Sequence, residues 1–408
     1  MKKISLHWQI LIALIAGILY GIFLTDYVVY VTWLGDVFMN GLNMIMVPLV
    51  LTSIVSGVAN IGSAENLSKL GLKTMSFYLI TSTLAILTGL LLVNWIQPGV
   101  GFDLKLTTSV EGLELARDSF GSTLKNIVPS NLFVAFANND TLAIIFFALL
   151  FGYFISQVSI KSQKLLTDFF NASFEAIMKL TMFILRFTPI GIFGIMADIV
   201  AEQVNGGKDL ANLALSLFWY VVVILLGIFI HFFGTLPAIV YFFGKKSNPW
   251  KHMKNMQAAL ITAFSTCSSG ATLSLTMEGV EHKSGVSNKV SSFVLPLGAT
   301  INMDGTALYE CVAAIFIAQA YGVELSVMQQ VVVVVTALLA SIGAASIPMA
   351  GLVMLSIVLT AVGLPLEGIG LILAVDRVLD MFRTATNVWS DTCGAVVIAK
   401  SEGETLNV

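Results

Sequence analysis

The chain has 408 residues, 57% hydrophobic and only 11% charged, with a mean hydropathy of +0.90 and a formal net charge of −3. A soluble domain carries about 25% charged residues, so the composition excludes an ordinary soluble globular protein and reads as a polytopic membrane protein. No basic patch suggests a nucleic-acid partner, and Cys267, Cys311 and Cys393 sit in apolar segments with neither disulfide nor zinc spacing.

The N-terminus, MKKISLHWQILIALIAGILYGIFL, has the charge of a signal peptide but no small-residue cleavage site. Its apolar run is long enough to span, and it is read as a retained first membrane helix over about residues 8–25. Further apolar runs predict spans near 37–61, 70–95, 132–157, 164–200 and 210–243. Lys2, Lys3, Lys69, Lys73, Lys161, Lys164, Lys245, Lys246, Lys251 and Lys254 flank alternate ends of these runs. The positive-inside rule then puts the N-terminus and the loop after the sixth run in the cytoplasm.

In the third run, Tyr78, Thr81 and Ser82 share one helical face, a weak signal alone because membrane hydroxyls usually bond their own helix or a neighbour. The polar stretch from about 99 to 131 reads as an external loop or surface helix. In the fifth run Glu175 and Lys179 form a structural i, i+4 pair, and Pro189 should kink the helix.

Beyond Pro249 the simple rhythm breaks. Residues 255–278 are apolar at both ends with a small, hydroxyl-rich centre, and residues 331–362 repeat that design. Ser, Gly and Pro in mid-segment suit a hairpin that enters the membrane and turns back, the alternative being ordinary spans with glycine kinks. Each hairpin precedes a helix with a polar middle. Such a repeat, if inverted, places a binding site at its interface near the midplane.

The first of these helices carries Asn302-Met303-Asp304-Gly305-Thr306, where Gly305 loosens the helix and Asn302 and Asp304 add hard oxygen ligands suited to a desolvated alkali cation. Glu310, one turn on, is a lone carboxyl whose burial disfavours the charged form; it is either a proton carrier or a neutral side chain bonded to a neighbour.

The last apolar stretch, about 364–400, carries Asp376, Asp380, Arg383, Asn387 and Asp391 at steps of four, three, four and four, which puts all five on one helical face with Arg377 and Thr384 beside it. Each charge near the middle of a bilayer costs about 2.5–3.5 kcal/mol. The stripe therefore reads as a site for a substrate and ions, against the plainer reading of ion pairs that only hold helices together. His7, His231, His252 and His282 show no metal or catalytic spacing, and no phosphate loop appears. Uphill transport would need an ion gradient rather than ATP. No nucleophile–base pair speaks for an enzyme.

At these residues the chain resembles the dicarboxylate/amino acid:cation symporter family, which includes archaeal aspartate transporters and animal excitatory amino acid transporters. The resemblance covers essentially the whole chain. It rests on the serine-rich tip of the first hairpin, NMDGT, ASIGAASIP in the second hairpin, and D-x-x-x-D-x-x-R-T-x-x-N-x-x-x-D. It implies an all-α homotrimer with eight transmembrane helices and two re-entrant hairpins per protomer, arranged as inverted repeats. Residues 1–243 would supply mostly scaffold, with helices 3 and 6 joining residues 250–401 in a transport domain that moves like an elevator, gated by the second hairpin. It also implies a multi-pass protein of the cell or inner membrane with both termini cytoplasmic.

By the same resemblance, Arg383 would pair with a substrate side-chain carboxylate, Asp380 with the α-amino group and Asn387 with the α-carboxylate. Ser269, Thr306, Thr384 and the backbone near Ile347 and Gly351 would complete the pocket. One sodium site would use Asp391, Asn387 and carbonyls of Gly298 and Asn302. A second would use Tyr78, Thr81, Ser82, Asn302 and Asp304, and a third the carbonyls around Thr300, Ser341, Ile342 and Ala344. Glu310 matches animal members, in which it is linked to proton cotransport and potassium counter-transport.

Three departures stand out. Cys267 and Met381 occupy the two positions where family members carry a pocket arginine, which leaves the cation that balances Asp380 open, with Arg377 one turn away. Ser346 replaces a usual glycine in the second hairpin. The implied function is sodium-coupled symport of aspartate or glutamate. Carriage of neutral amino acids or cystine, C4-dicarboxylate symport and an anion channel are the alternatives.

Overall fold

In the computed structural model, residues 6–61, 68–101, 128–138, 140–205, 210–343 and 350–408 are described, and these form helices and short connections. Helix α1 (Leu6–Phe23) is followed by a short 3-10 turn (Thr25–Tyr30), then α2 (Thr32–Ile61) and α3 (Ser68–Ile96). Most of the polar stretch expected as an external loop lies outside the described residues. The predicted fourth span is not one helix: α4 (Leu132–Ala137) stops at Asn138, and α5 (Thr141–Ile155) begins after Asp140. Asn138 and Asp140 are residue types that disfavour a helix interior. The fifth span divides into α6 (Ile160–Leu185) and α7 (Thr188–Asn205), bent by 53° next to Pro189, whose ring cannot continue the ladder of the preceding helix.

The sixth span is a single path with a local defect. Helix α8 (Leu210–Ile230) runs through a wide π turn (His231–Thr235) into α9 (Leu236–Phe243). Pro237 lacks an N–H, so one rung of the ladder is missing at this point. The carbonyl of Phe232 accepts instead from Trp389 Nε1, at 3.1 Å.

A short helix, α10 (Pro249–Asn255), leads into the first hairpin, α11 (Gln257–Thr266) and α12 (Ser269–Glu278), which pack on each other. The turn takes only two residues. Cys267 adopts a left-handed conformation (φ 53°), and Ser268 caps α12 by accepting from Ala271 N–H at 3.2 Å. Next come α13 (Asn288–Ile301) and α14 (Asp304–Ala320), separated by a non-helical step at Asn302 and Met303. The second hairpin has arms α15 (Val327–Gly343) and α16 (Ala350–Ala361), also in contact, and its tip lies outside the described residues. The chain ends on α17 (Ile369–Ser401), unbroken over 33 residues.

By length and composition, four helical stretches can cross a membrane among the described residues, or five with the bent α6–α7 pair as one. The highly charged α17 is not among them; its charges face inward, with Asp376, Asp380, Arg383 and Asp391 all buried. At the centre lies α14, buried along nearly its whole length against α3, α8, α15, α16 and α17. Helices α1, α2, α5, α6 and α7 pack chiefly among themselves, and α2 touches both arms of the second hairpin. The Glu175–Lys179 pair forms at 2.6 Å with both side chains exposed, so it adds little to stability.

The contact of α1 with α7 depends on small residues. A Cβ on Gly17 would come within 2.8 Å of Phe193 O, and one on Gly21 within 2.7 Å of Ala197 O. Gly17 and Gly21, four apart, thus let two backbones touch, the device membrane helices use where apolar surface alone gives no drive to associate. Gly21→Leu is expected to cost about 1–3 kcal/mol by overpacking. Thermal unfolding of the purified protein in detergent would check this, with Leu19→Ala, an exposed neighbour, as the neutral control.

Candidate functional site

Two layers of polar side chains lie one above the other along α17, both closed by the break in the α13–α14 helix. The break is what allows this. It leaves N–H groups at the start of α14 and carbonyls at the end of α13 without helical partners. Gly305 N–H donates to Asn387 Oδ1 at 2.8 Å, and Asn387 Nδ2 donates to Thr306 Oγ1 at 3.2 Å. The carbonyl of Ala299 accepts from Ser269 Oγ at 3.2 Å, which ties the first hairpin to the break. Gly305 sits against the backbone of Arg383, where a Cβ would be 2.8 Å from its carbonyl oxygen.

The first layer is built around Arg383, which has no exposed surface. Its Nη1 lies 3.1 Å from Asp376 Oδ1 and its Nη2 3.0 Å from Asp380 Oδ1, while the guanidinium stacks on Tyr309, 3.8 Å from the ring centroid. Among the described residues none of its three nitrogens finds a well-aligned hydrogen-bond acceptor, so charge rather than hydrogen-bond geometry holds it. Arg377 Nη1 reaches Asp380 Oδ2 at 3.6 Å. This answers which cation balances Asp380: Arg383 and Arg377 share it. Cys267, at the buried tip of the first hairpin, lies within electrostatic reach of that pair. Gly351 borders the guanidinium, since a Cβ there would be 3.2 Å from Nη1 and 3.4 Å from Thr306 Cγ2. Thr384 is buried on the same helix. Two carboxylates and two guanidiniums make this layer neutral.

The second layer lies one to two turns along, about 12 Å from Arg383 to Asp391 by the helical rise. Asp304 Oδ1 accepts from Ser82 Oγ at 2.6 Å and lies 3.2 Å from Thr81 Oγ1. Its Oδ2 accepts from Ser390 Oγ at 2.7 Å and lies 2.9 Å from His231 Nε2. Asn302 Nδ2 donates to Asp391 Oδ1 at 2.9 Å and lies 3.0 Å from Ser390 Oγ. Tyr78 donates to the Val294 carbonyl at 2.7 Å. Gly298 packs against Asp391 and Tyr78 so closely that any Cβ would collide with both. Among the described residues, no Lys or Arg pairs with Asp304 or Asp391. Two buried carboxylates surrounded by hydroxyl, amide and carbonyl oxygen make a donor set for hard cations.

Tyr78, Thr81, Ser82, Gly298, Asn302, Asp304 and Asp391, which the resemblance implied as cation ligands, lie together in this layer, while Asn387 bonds to Gly305 and Thr306 beside it. The third predicted cation set is only partly described. The hydroxyls of Thr300 and Ser341 bond back to Pro296 O and Leu338 O of their own helices, at 3.0 and 2.8 Å. Ala344, Ser346 and Ile347 lie outside the described residues, and of Ile342 only the backbone is described. Glu310 is fully buried beneath the first layer, with neither carboxyl oxygen partnered among the described residues.

His231 and Ser390 are functional neighbours that sequence reasoning missed. Ser390 precedes Asp391, so its adjacency was visible. His231 lies 73 residues from Asp304 and carries no spacing signal; in the structure it opens the π turn after α8. Its contact positions the Asp304 carboxylate. His231→Ala is expected to raise the sodium concentration for half-maximal thermal stabilisation about tenfold or more, as loss of an outer-shell partner does. An unchanged sodium titration with a lowered melting temperature would make the contact structural only.

Comparison with known proteins places the whole chain in one family. The model of the sodium:dicarboxylate symporter family matches residues 6–401. A proton/sodium-glutamate symport protein of Bacillus caldotenax is 37% identical over 99% of this chain and 96% of its own length. A proton/glutamate-aspartate symporter of Escherichia coli K12 is 35% identical over 98% and 93%. An excitatory amino acid transporter of Caenorhabditis elegans is 38% identical over 91% and 81%. With a match that leaves out only the chain ends, and with the polar stripe of α17 facing the broken α13–α14 helix, the chain belongs to the sodium:dicarboxylate symporter family.

Proposed function

We propose that the protein is a multi-pass secondary transporter that couples inward sodium movement to uptake of an acidic amino acid, aspartate or glutamate. The observation that carries this reading is the pair of layers on α17: a neutral one holding a buried guanidinium beside carboxylates, and one with two carboxylates that no Lys or Arg balances among the described residues. The names of the relatives, glutamate and glutamate-aspartate symporters, support the same substrate class.

The chemistry follows from charge. Arg383 is already desolvated, so the cost of burying it has been met by its pairing with Asp376 and Asp380. A substrate carboxylate takes a share of the guanidinium in bidentate fashion, and the Asp380 carboxylate turns to the substrate ammonium. One internal ion pair becomes two with the substrate, and the substrate's remaining carboxylate is the net charge added. Asn387, Thr306, Thr384 and Ser269 line the α-carboxylate side, and Gly351 closes the pocket beside the guanidinium. An acidic amino acid adds a net negative charge close to Asp304 and Asp391. Sodium at the second layer removes the repulsion, so each ligand strengthens the other by the same free energy.

Around the pocket we assign α3 and α8–α17 to a transport domain and α1, α2 and α4–α7 to a scaffold that forms the contacts of a homotrimer. The way these groups pack among themselves supports the division. The two hairpins re-enter the membrane, the second acts as the gate, and the transport domain moves as an elevator. Eight helices span the membrane, with both termini cytoplasmic. Glu310, buried in the core and unpartnered among the described residues, is assigned to proton cotransport, with potassium return as its counterpart.

Uptake of radiolabelled aspartate into proteoliposomes under an inward sodium gradient tests the core of this reading. Arg383→Ala is expected to weaken apparent affinity about a hundredfold or more, the cost of truncating one partner of a buried charged pair. Sodium-driven uptake of neutral amino acids, cystine or C4-dicarboxylates in preference to aspartate would overturn the substrate. For the proton, Glu310→Gln is expected to flatten the pH dependence of uptake and to abolish any stimulation by internal potassium; pH dependence that survives unaltered removes Glu310 from that role.

A further inference from the structure

On the outer face of α3, away from the two polar layers, α3, α9 and the end of α17 enclose an open groove of about 570 Å³. Its walls are apolar for most of their length, formed by Ile80 and Leu84 of α3, Ile239 and Phe243 of α9 and Val397 of α17. Ile80 and Phe243 are 57% and 69% exposed, so nothing in the described protomer covers it. The exposed apolar face of α3 continues past the groove to Leu87 and Leu91, as expected of a surface turned to hydrocarbon.

One end of the groove differs from the rest. Lys73 lines it there and pairs with Glu402 at 2.5 Å. Lys69 and Lys289 add positive charge around the same carboxylate, holding Glu402 below its usual range after the larger effect of its bond to Lys73. Lys245 and Lys246 follow Phe243 by two and three residues and are exposed. Glu404, the next acid, is spent on the backbone and hydroxyl of Ser287. The lysines at this end therefore outnumber the acids that face them.

The length of the groove is the second observation. From Lys73 to Leu84 the helix rises about 17 Å at 1.5 Å per residue. Half the hydrocarbon core of a bilayer is about 15 Å. A groove as long as one leaflet is thick, apolar along its length and cationic at a single end, has the form of one lipid chain with its headgroup.

We propose that this groove is a binding site for an anionic phospholipid, one acyl chain lying between α3 and α9 and the phosphate held at the Lys69, Lys73, Lys245 and Lys246 end. By the distribution of lysines this end lies in the cytoplasmic leaflet. At the floor of the groove is Thr81, whose hydroxyl reaches Asp304, so the bound chain packs against the helix that supplies Thr81 and Ser82 to the cation layer. The site does not depend on which amino acid is carried.

The test is lipid retention by the full-length, delipidated protein, read by native mass spectrometry with phosphatidylglycerol and phosphatidylcholine of identical acyl chains. The expected result is retention of phosphatidylglycerol over phosphatidylcholine by about tenfold, undiminished by an excess of inorganic phosphate. Ser76→Trp, at an exposed lining position, should abolish retention of both lipids, and Leu84→Trp at the far end serves as a second filling variant if the first lowers the yield of folded protein. Lys69→Gln and Lys245→Gln should each reduce the preference about fivefold, as expected for about 1 kcal/mol per lysine near an anionic headgroup. Equal retention of the two lipids by the unmodified protein overturns the proposal, as does retention that the filling variants leave unchanged. Displacement by free phosphate would make the lysine end an ion site rather than a lipid site. Loss of a self-association step in the filling variants, without loss of lipid, would assign the face to a second copy of the chain.

Discussion

A guanidinium with no exposed surface has to be neutralised where it stands. In this protein Asp376 and Asp380 do so for Arg383, from positions seven and three residues earlier on the same helix. That arrangement makes the charged cluster self-contained within α17, so the helix stays continuous over its full length while carrying charges that would otherwise be prohibitive at this depth. Tyr309 covers the guanidinium from α14, and the backbone of Gly305 closes against that of Arg383.

The second constraint is the backbone. Three irregular steps meet near the same level: the Asn302–Met303 break, the left-handed turn at Cys267 and the π turn after α8. Non-helical backbone is tolerated in a membrane only where protein or a wet cavity satisfies it. Each step has its substitute partners. At the break Gly305 N–H is bound by Asn387 and the Ala299 carbonyl by Ser269; at the Cys267 turn Ala271 N–H is bound by the Ser268 hydroxyl; at the π turn the Phe232 carbonyl is bound by Trp389. Most of these partners are also site residues or their neighbours. The groups that repair the backbone are thus those that a substrate or cation would address, which ties occupancy of the site to the order of the hairpins around it.

Charge balance gives the two layers different chemistry. The Arg383 layer is neutral and suits a zwitterion with one further carboxylate. The Asp304–Asp391 layer has two carboxylates that no Lys or Arg pairs with among the described residues, the chemistry that would suit a monovalent cation. Their separation along α17, about 12 Å by the helical rise, is short enough for the charge of one ligand to be felt by the other in a medium poor in water. Under the proposed function, coupling would follow from electrostatics between adjacent sites without a long-range pathway.

The membrane class, the stripe on the last helix, the two hairpin designs and the NMDGT break were legible in the sequence because each is a property of a short stretch: a composition, a period or a cluster of breakers. Asp376, Asp380, Arg383, Asn387 and Asp391 had to share a face once α17 was a helix. The division of the predicted fourth span was also written locally, at Asn138 and Asp140, but apolar content on both sides masked it. What only the tertiary structure decided is which distant residues meet. Ser82 and Asp304 are 222 residues apart, and His231 and Asp304 are 73 apart. Whether Arg377 would turn to Asp380, which cation would take the place left by Cys267 and Met381, and that α3, α9 and α17 would leave a leaflet-long groove between them all depend on how helices are stacked. Periodicity fixes the face a residue occupies; packing alone fixes what stands opposite that face.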